Sequence, residues 1–259
     1  MQRRVKQNLY SVKIAPYNAL MRKPEKRATR STPRTRPRSA ASRAARKPRA
    51  AAAEDTPYHH GALRDALLKA AERVLERDGL PGLTLRAVAR EAGVSHAAPT
   101  HHFGDLTGLV SELAAIGFRQ FNQAMAGSCA PDTPFPARGL ARAHAYVGYA
   151  QAHPGMYGLM FRTERLDYSR PSLHEAAEAS FAGLAHAIAA SRHEPIKEQA
   201  LTLEQAAAIA RAWSLVHGFT MLLLDGRLSD ILHRLPEGTD TSTLLDAMLK
   251  VAMAKPPGS

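Results

Sequence analysis

The chain has 259 residues, with 35 Lys+Arg against 23 Asp+Glu, a formal net charge of +12 and a single cysteine, Cys129. That length suits one or two domains with a sizeable core, and one cysteine excludes a disulfide framework or a cysteine-based zinc site and fits a reducing compartment. The most apolar stretch, Ala206 to Leu224, is interrupted by Arg211 and His217, which argues against a membrane span.

Residues 1–55 hold 16 Lys+Arg and 3 acids, whereas the other 204 residues hold 19 and 20. A near-neutral body therefore carries a basic arm. From Arg22 to Ala53 the arm has almost no large apolar side chain, so it cannot bury enough surface to offset its ordering entropy and is expected to be disordered. Pro24, Pro33, Pro37 and Pro48 oppose a continuous helix. Clustered Arg and Lys can displace counterions from DNA phosphates without reading sequence. A solvated extension, or a start codon assigned ahead of Met21, is the equally weighted alternative.

After Pro57 the pattern becomes helical. His60 to Asp78 sets Leu63, Leu67, Ala70, Ala71, Val74 and Leu75 on one face between charged residues, with Gly79 as the stop. Thr84 is placed to cap a short helix over Leu85–Ala92, which Gly93 ends. Ser95 is the expected cap of a third helix. Two short helices about a Gly-containing turn match a helix-turn-helix over about 84–103, in which small Ala89 allows close approach and Val94 fills the core beneath. The helix after Ser95 is then free to enter a major groove. Further helices are expected over Ala137–His153, Ser172–Ser191, Leu203–Leu224 and Thr241–Met253, with a break at Pro131, Pro134 and Pro136. No stretch alternates as a strand would. The fold class is all-α.

The order and spacing of several motifs resemble the tetracycline-repressor (TetR) family of bacterial transcription regulators. They are Leu75-Glu76-Arg77-Asp78-Gly79, Leu83-Thr84-Leu85-Arg86 with Val88-Ala89, Ala92-Gly93-Val94-Ser95, and His102-Phe103-Gly104-Asp105 with Leu109. Trp213-Ser214-Leu215-Val216-His217-Gly218, after Ala152-His153-Pro154, resembles one of the family's ligand-domain subgroups. The resemblance implies a cytoplasmic homodimer with a three-helix DNA-binding head (56–121) and a body (122–259) that binds a small-molecule effector and dimerises through its last two long helices. It further implies a repressor released by that effector from a palindromic operator in double-stranded DNA. Two departures stand out. Thr100 follows Pro99 where the family usually has Tyr, and Leu106 stands where it usually has Lys; both missing side chains would contact phosphates. Residues 56–121 carry 7 basic and 7 acidic side chains, so the arm is expected to compensate.

The expected DNA-contact residues are Thr84 and Arg86 at the start of the second helix, and Ser95, His96, Ala97, Thr100 and His101 on the exposed face of the third. His96 and Thr100 are suited to hydrogen-bond base edges, and Ala97 to meet a thymine methyl. Phe103 reads as core. Tyr146, Tyr149, Tyr157, Phe161, Trp213 and His217 are the candidate effector-binding residues, with plain core packing as the alternative. Trp213 and His217 share one face at i and i+4. No cofactor is implied and no metal site, because the histidines lack convergent ligand spacing. No nucleophile–base pair or phosphate-binding glycine loop points to an enzyme. The alternative function is a nonspecific nucleoid-type binder working through the arm.

Overall fold

A computed structural model describes residues 58–253, and every regular element among them is helical. The basic arm, 1–55, lies outside the described residues.

Among the described residues ten α-helices follow one another: α1 (Tyr58–Gly82), α2 (Leu85–Glu91), α3 (Ala97–Phe103), α4 (Leu106–Ala126), α5 (Ala137–Ala152), α6 (Pro154–Met160), α7 (Pro171–Arg192), α8 (Leu203–Leu224), α9 (Ser229–Leu232) and α10 (Thr241–Met253). A 3-10 turn, Thr163–Arg165, sits between α6 and α7. α5 and α7 fall within one residue of the bounds expected from their apolar spacing, whereas α1 begins two residues before and ends four residues after the expected 60–78. α8 and α10 match residue for residue, since a Thr202–Gln205 capping box fixes the start of α8 and the Asp240 carboxylate accepts the Thr243 N–H near that of α10. Gly79 interrupts α1 at φ 68°, ψ −179°, a backbone only glycine adopts easily, and so ends the regular part of the helix.

One buried core runs from α1 through α4 into α5, α6 and α7, and includes Leu67, Val74, Leu83, Val88, Phe103, Leu109, Leu113, Tyr149, Met156, Met160 and Leu173. The expected head–body boundary at 121/122 falls inside α4, and α4 packs on α3 as well as on α5, α6 and α7. Gly117 makes that possible, because a Cβ there would overlap Met156 and Met160 of α6. The Glu76 carboxylate of α1 accepts the Gly155 and Met156 N–H groups at 3.1 and 2.9 Å, binding α1 to the start of α6. A second cluster, Ala143, Val147, Phe219, Leu228 and Leu245, joins α5, α8 and α10.

α8 departs from the expectation that Arg211 and His217 make it too polar for a bilayer. By length and mean hydropathy (1.4) it would qualify as a span, yet only 17% of that window is buried within the chain. A 22-residue helix accommodates one cation, and its apolar residues extend to solvent-exposed positions, Leu203, Trp213, Met221 and Leu222.

Candidate nucleic-acid interface and ligand site

α2 and α3 form a helix-turn-helix. The Thr84 hydroxyl accepts the Ala87 N–H at 3.1 Å and starts α2. Gly93 turns the chain at φ 68°, with Val94 N–H bonded to the Ala89 carbonyl at 3.0 Å. Ala89 is fully buried, and Val94 packs partly buried against the core.

The start of α3 differs from expectation. Ser95 is not the cap: α3 begins at Ala97, with His96 as N-cap and no side-chain capping bond. Proline explains this. A helix capped by Ser95 would begin with the residue-99 N–H donating to the Ser95 carbonyl, and Pro99 has none, so that carbonyl takes the Ala98 N–H at 3.0 Å instead and the helix starts one residue later.

α3 is two-faced. Pro99 and Phe103 are buried, Phe103 at 2% exposure, while Ser95, His96, Ala97, Thr100 and His101 are all exposed. Thr84 and Arg86 are exposed beside them on α2, and among the described residues Arg86 has no ion-pair partner. All seven sequence-derived contact residues thus lie on solvent. Nearby charges are already engaged: Arg73 and Arg77 of α1 hold Glu91 at 2.8 and 3.0 Å, pulling its carboxyl below the usual range through hydrogen bonds to Arg73 and then Arg77.

In the body, five of the six candidate effector residues converge. The hydroxyls of Tyr157 (α6) and Tyr146 (α5) lie 2.7 and 3.0 Å from His217 Nδ1 (α8) and 3.1 Å from each other. Phe161 packs against His217, with ring centres 4.7 Å apart, and Trp213 lies 6.1 Å from the same imidazole. Burial pushes both tyrosine hydroxyls up and His217 down, so at neutral pH the triangle is uncharged. A neutral imidazole bearing its proton on Nε2 leaves Nδ1 to accept a hydroxyl proton. The arrangement can offer an entering molecule aromatic faces and a hydroxyl–imidazole hydrogen-bonding set.

Tyr149 does not join this triangle. Its hydroxyl donates to the Gly117 carbonyl of α4 at 3.0 Å, and burial, then the Glu72 and Glu76 charges, raise its pKa. Its ring packs on Phe121 at 5.5 Å, making it part of the α4–α5 seam. Sequence reasoning missed Phe121, whose ring also meets Tyr146 at 5.0 Å, and the fully buried Thr220, one turn after Val216, whose carbonyl its hydroxyl bonds at 2.7 Å. Phe121 was hidden because the expected domain boundary passed beside it. Arg162 and Arg165 stand apart on an exposed cleft of about 240 Å³ with Leu80, Pro81 and Glu164. No cluster of metal-ligating side chains occurs among the described residues.

Residues 67–113 match bacterial regulatory proteins of the tetR family, and residues 140–251 match the tetracyclin repressor-like C-terminal domain. A solved structure from Rhodococcus sp. RHA1, described only as a protein of unknown function, is 32% identical with a TM-score of 0.59, the match covering 76% of this chain and 96% of that one. A candidate TetR-family transcription regulator from Shewanella sp. PV-4 is 17% identical with a TM-score of 0.52, covering 75% and 99%. A bacterial regulatory protein of the TetR family from Rhodococcus RHA1 is 16% identical with a TM-score of 0.50, covering 73% and 94%. No protein among the curated sequences matches. The fold and site define a helix-turn-helix transcription regulator. The chain belongs to the TetR family, with a DNA-binding N-terminal domain and a ligand-binding C-terminal domain.

Proposed function

We propose that the protein is a homodimeric transcriptional repressor whose two α3 helices read the half-sites of a palindromic operator. The observation that carries this reading is the two-faced α3, anchored by Phe103 and Pro99, which together with the two residues before it presents five small or polar side chains outward. In this reading Thr84 and Arg86 hold phosphates, His96, Thr100 and His101 meet base edges, Ala97 meets a thymine methyl and Ser95 the adjoining backbone. Residues 56–121 act as the head and 122–259 as the body, and the basic arm adds sequence-independent attraction. The exposed apolar face of α8, beside α7, supports dimerisation, because an apolar helix left so open in one chain gains from a second copy. A small-molecule effector enters among Tyr146, Tyr157, Phe161, Trp213 and His217, with Tyr149 supporting the wall, and releases the operator. An uncharged ligand with an aromatic face and one hydrogen-bonding group suits that set. No enzymatic step is assigned.

Footprinting of the full chain and of residues 56–259 on the DNA upstream of its own gene, at about 150 mM salt, tests this. Protection of a palindrome by both is expected. Diffuse coating that disappears with the arm would sink the repressor reading in favour of a nonspecific nucleoid-type binder.

A further inference from the structure

The loop between the 3-10 turn and α7 reaches from the body to the end of the recognition helix. Its Arg170 side chain donates from Nη2 to the Phe103 carbonyl at 3.1 Å, at the last residue of α3. Arg170 Nη1 lies 3.6 Å from Glu112 Oε1 on α4. Glu112 is shared: Arg64 of α1 binds its other oxygen at 2.6 Å, and the Ser172 hydroxyl of α7 donates to Oε1 at 2.9 Å. Arg64 also stands 5.5 Å from the centre of the Phe103 ring. Phe103 is therefore held twice, by Arg64 at its ring and by Arg170 at its carbonyl, and one carboxylate ties the two cations together.

Three features show a site built around Arg170. First, α4 carries Gly108 where the guanidinium passes. A Cβ there would collide with Arg170 Nη2 and with the Phe103 carbonyl oxygen. Second, the loop that presents Arg170 is anchored to α4, since the Asp167 N–H donates to the fully buried Ser111 hydroxyl at 2.8 Å. Third, Arg170 Nε is buried without a hydrogen-bond partner and stays 3.7 Å from Asp167 Oδ2. An arginine free in solvent would leave no donor unmet, so the side chain gives up hydration to reach Phe103.

We propose that Arg170 is the positioning residue by which the body holds the recognition helix. A guanidinium at a helix C-terminus satisfies an orphan carbonyl and opposes the negative end of the helix dipole. It sits there on a loop that leads directly into α7, so a shift of α7 relative to α4 withdraws the donor from α3. Withdrawal frees the last turn of α3 and weakens its fixed presentation to DNA. The inference rests on the assignment of α3 as the recognition helix, and the following measurement separates the two.

Amide hydrogen exchange on the full chain reads the clamp without DNA. Arg170→Ala is expected to speed exchange over residues 97–106 roughly tenfold, the size of one lost charge-assisted hydrogen bond, with α8 and α10 unchanged. Arg170→Lys, which keeps the charge without the planar fork, is expected to recover part of the protection. Arg170→Ala is also expected to weaken binding to whatever sequence the native chain protects. Unchanged exchange in 97–106 overturns the proposal, as does faster exchange spread over the whole chain, which would make Arg170 a contributor to general stability. If the native chain protects no DNA sequence, the repressor reading fails, and the exchange pattern still decides what Arg170 does.

Discussion

α3 and α8 expose opposite kinds of surface, and the contrast separates two kinds of recognition. α3 has 7 residues and turns its apolar side chains inward, leaving hydroxyls, imidazoles and a methyl outside. α8 has 22 residues, of which only Ile209, Phe219 and Thr220 are buried, and it leaves Trp213, Met221 and Leu222 in solvent. A short helix cannot hold its own shape against water, so α3 borrows rigidity from Phe103 and the side chains that grip it. α8 is long enough to stand with a bare apolar face, and that face costs least when another apolar surface covers it. Polar exposure on a rigid mount suits reading an edge of hydrogen-bonding groups, whereas apolar exposure on a long rod suits a protein partner.

The largest expected effect breaks α3 from within. Phe103→Ala removes a ring at 2% exposure and the face over which Arg64 lies, and should cost roughly 3–5 kcal/mol in chemical unfolding. A loss below about 1 kcal/mol would mean that α3 does not depend on its inner face. Second, Leu222→Arg on α8 should leave the far-UV helix signal intact while weakening self-association by a hundredfold or more, about 3 kcal/mol, in sedimentation equilibrium. An unchanged association constant would place the dimer surface elsewhere. Third come the exposed residues of the α2–α3 corner. Arg86→Ala should lower the salt slope of operator binding by about one and weaken all sequences alike, whereas His96→Ala should cost about 1–3 kcal/mol on the preferred sequence alone. Equal losses on specific and random DNA for His96→Ala would remove it from base reading.

The same two helices show what a sequence can disclose. The bounds of α8 follow from apolar spacing and from Thr202 and Gln205, all local signals. The corner before α3 is legible from Thr84, Ala89 and Gly93, because each acts on a neighbour within a few positions. Ser95 misleads because capping preference is read from the residue itself, and the missing N–H that defeats it belongs to Pro99. The body's site is half legible. Trp213 and His217 announce a shared face, but that Tyr157 and Tyr146 meet His217 while Tyr149 turns to Gly117 is settled by how α4, α5 and α6 cross. Arg170 is less legible still, since its carbonyl partner is 67 residues away and nothing in the local pattern distinguishes it from a solvated arginine. Gly108, near the start of an otherwise good helix, is the one sequence trace of that close approach.

The smallest effect concerns the inner face of α8. Burial lowers the pKa of His217, so the folded chain refuses a proton that the unfolded chain accepts once the pH falls below the ordinary imidazole value of about 6.5. The unfolded state then binds more protons than the folded one, and stability must fall as pH falls through that window, down to the lowered folded-state pKa. Protonation also removes the Nδ1 lone pair that the Tyr157 and Tyr146 hydroxyls approach at 2.7 and 3.0 Å, so the triangle loosens as it charges. The half-buried ring keeps the effect modest. Urea midpoints of the native chain and of His217→Asn at pH 7.5 and 5.5 measure it, with the native chain expected to lose more between the two than the variant. Equal losses would mean that His217 is hydrated well enough to titrate normally, and would turn the triangle from a dry hydrogen-bonded set into an open rim.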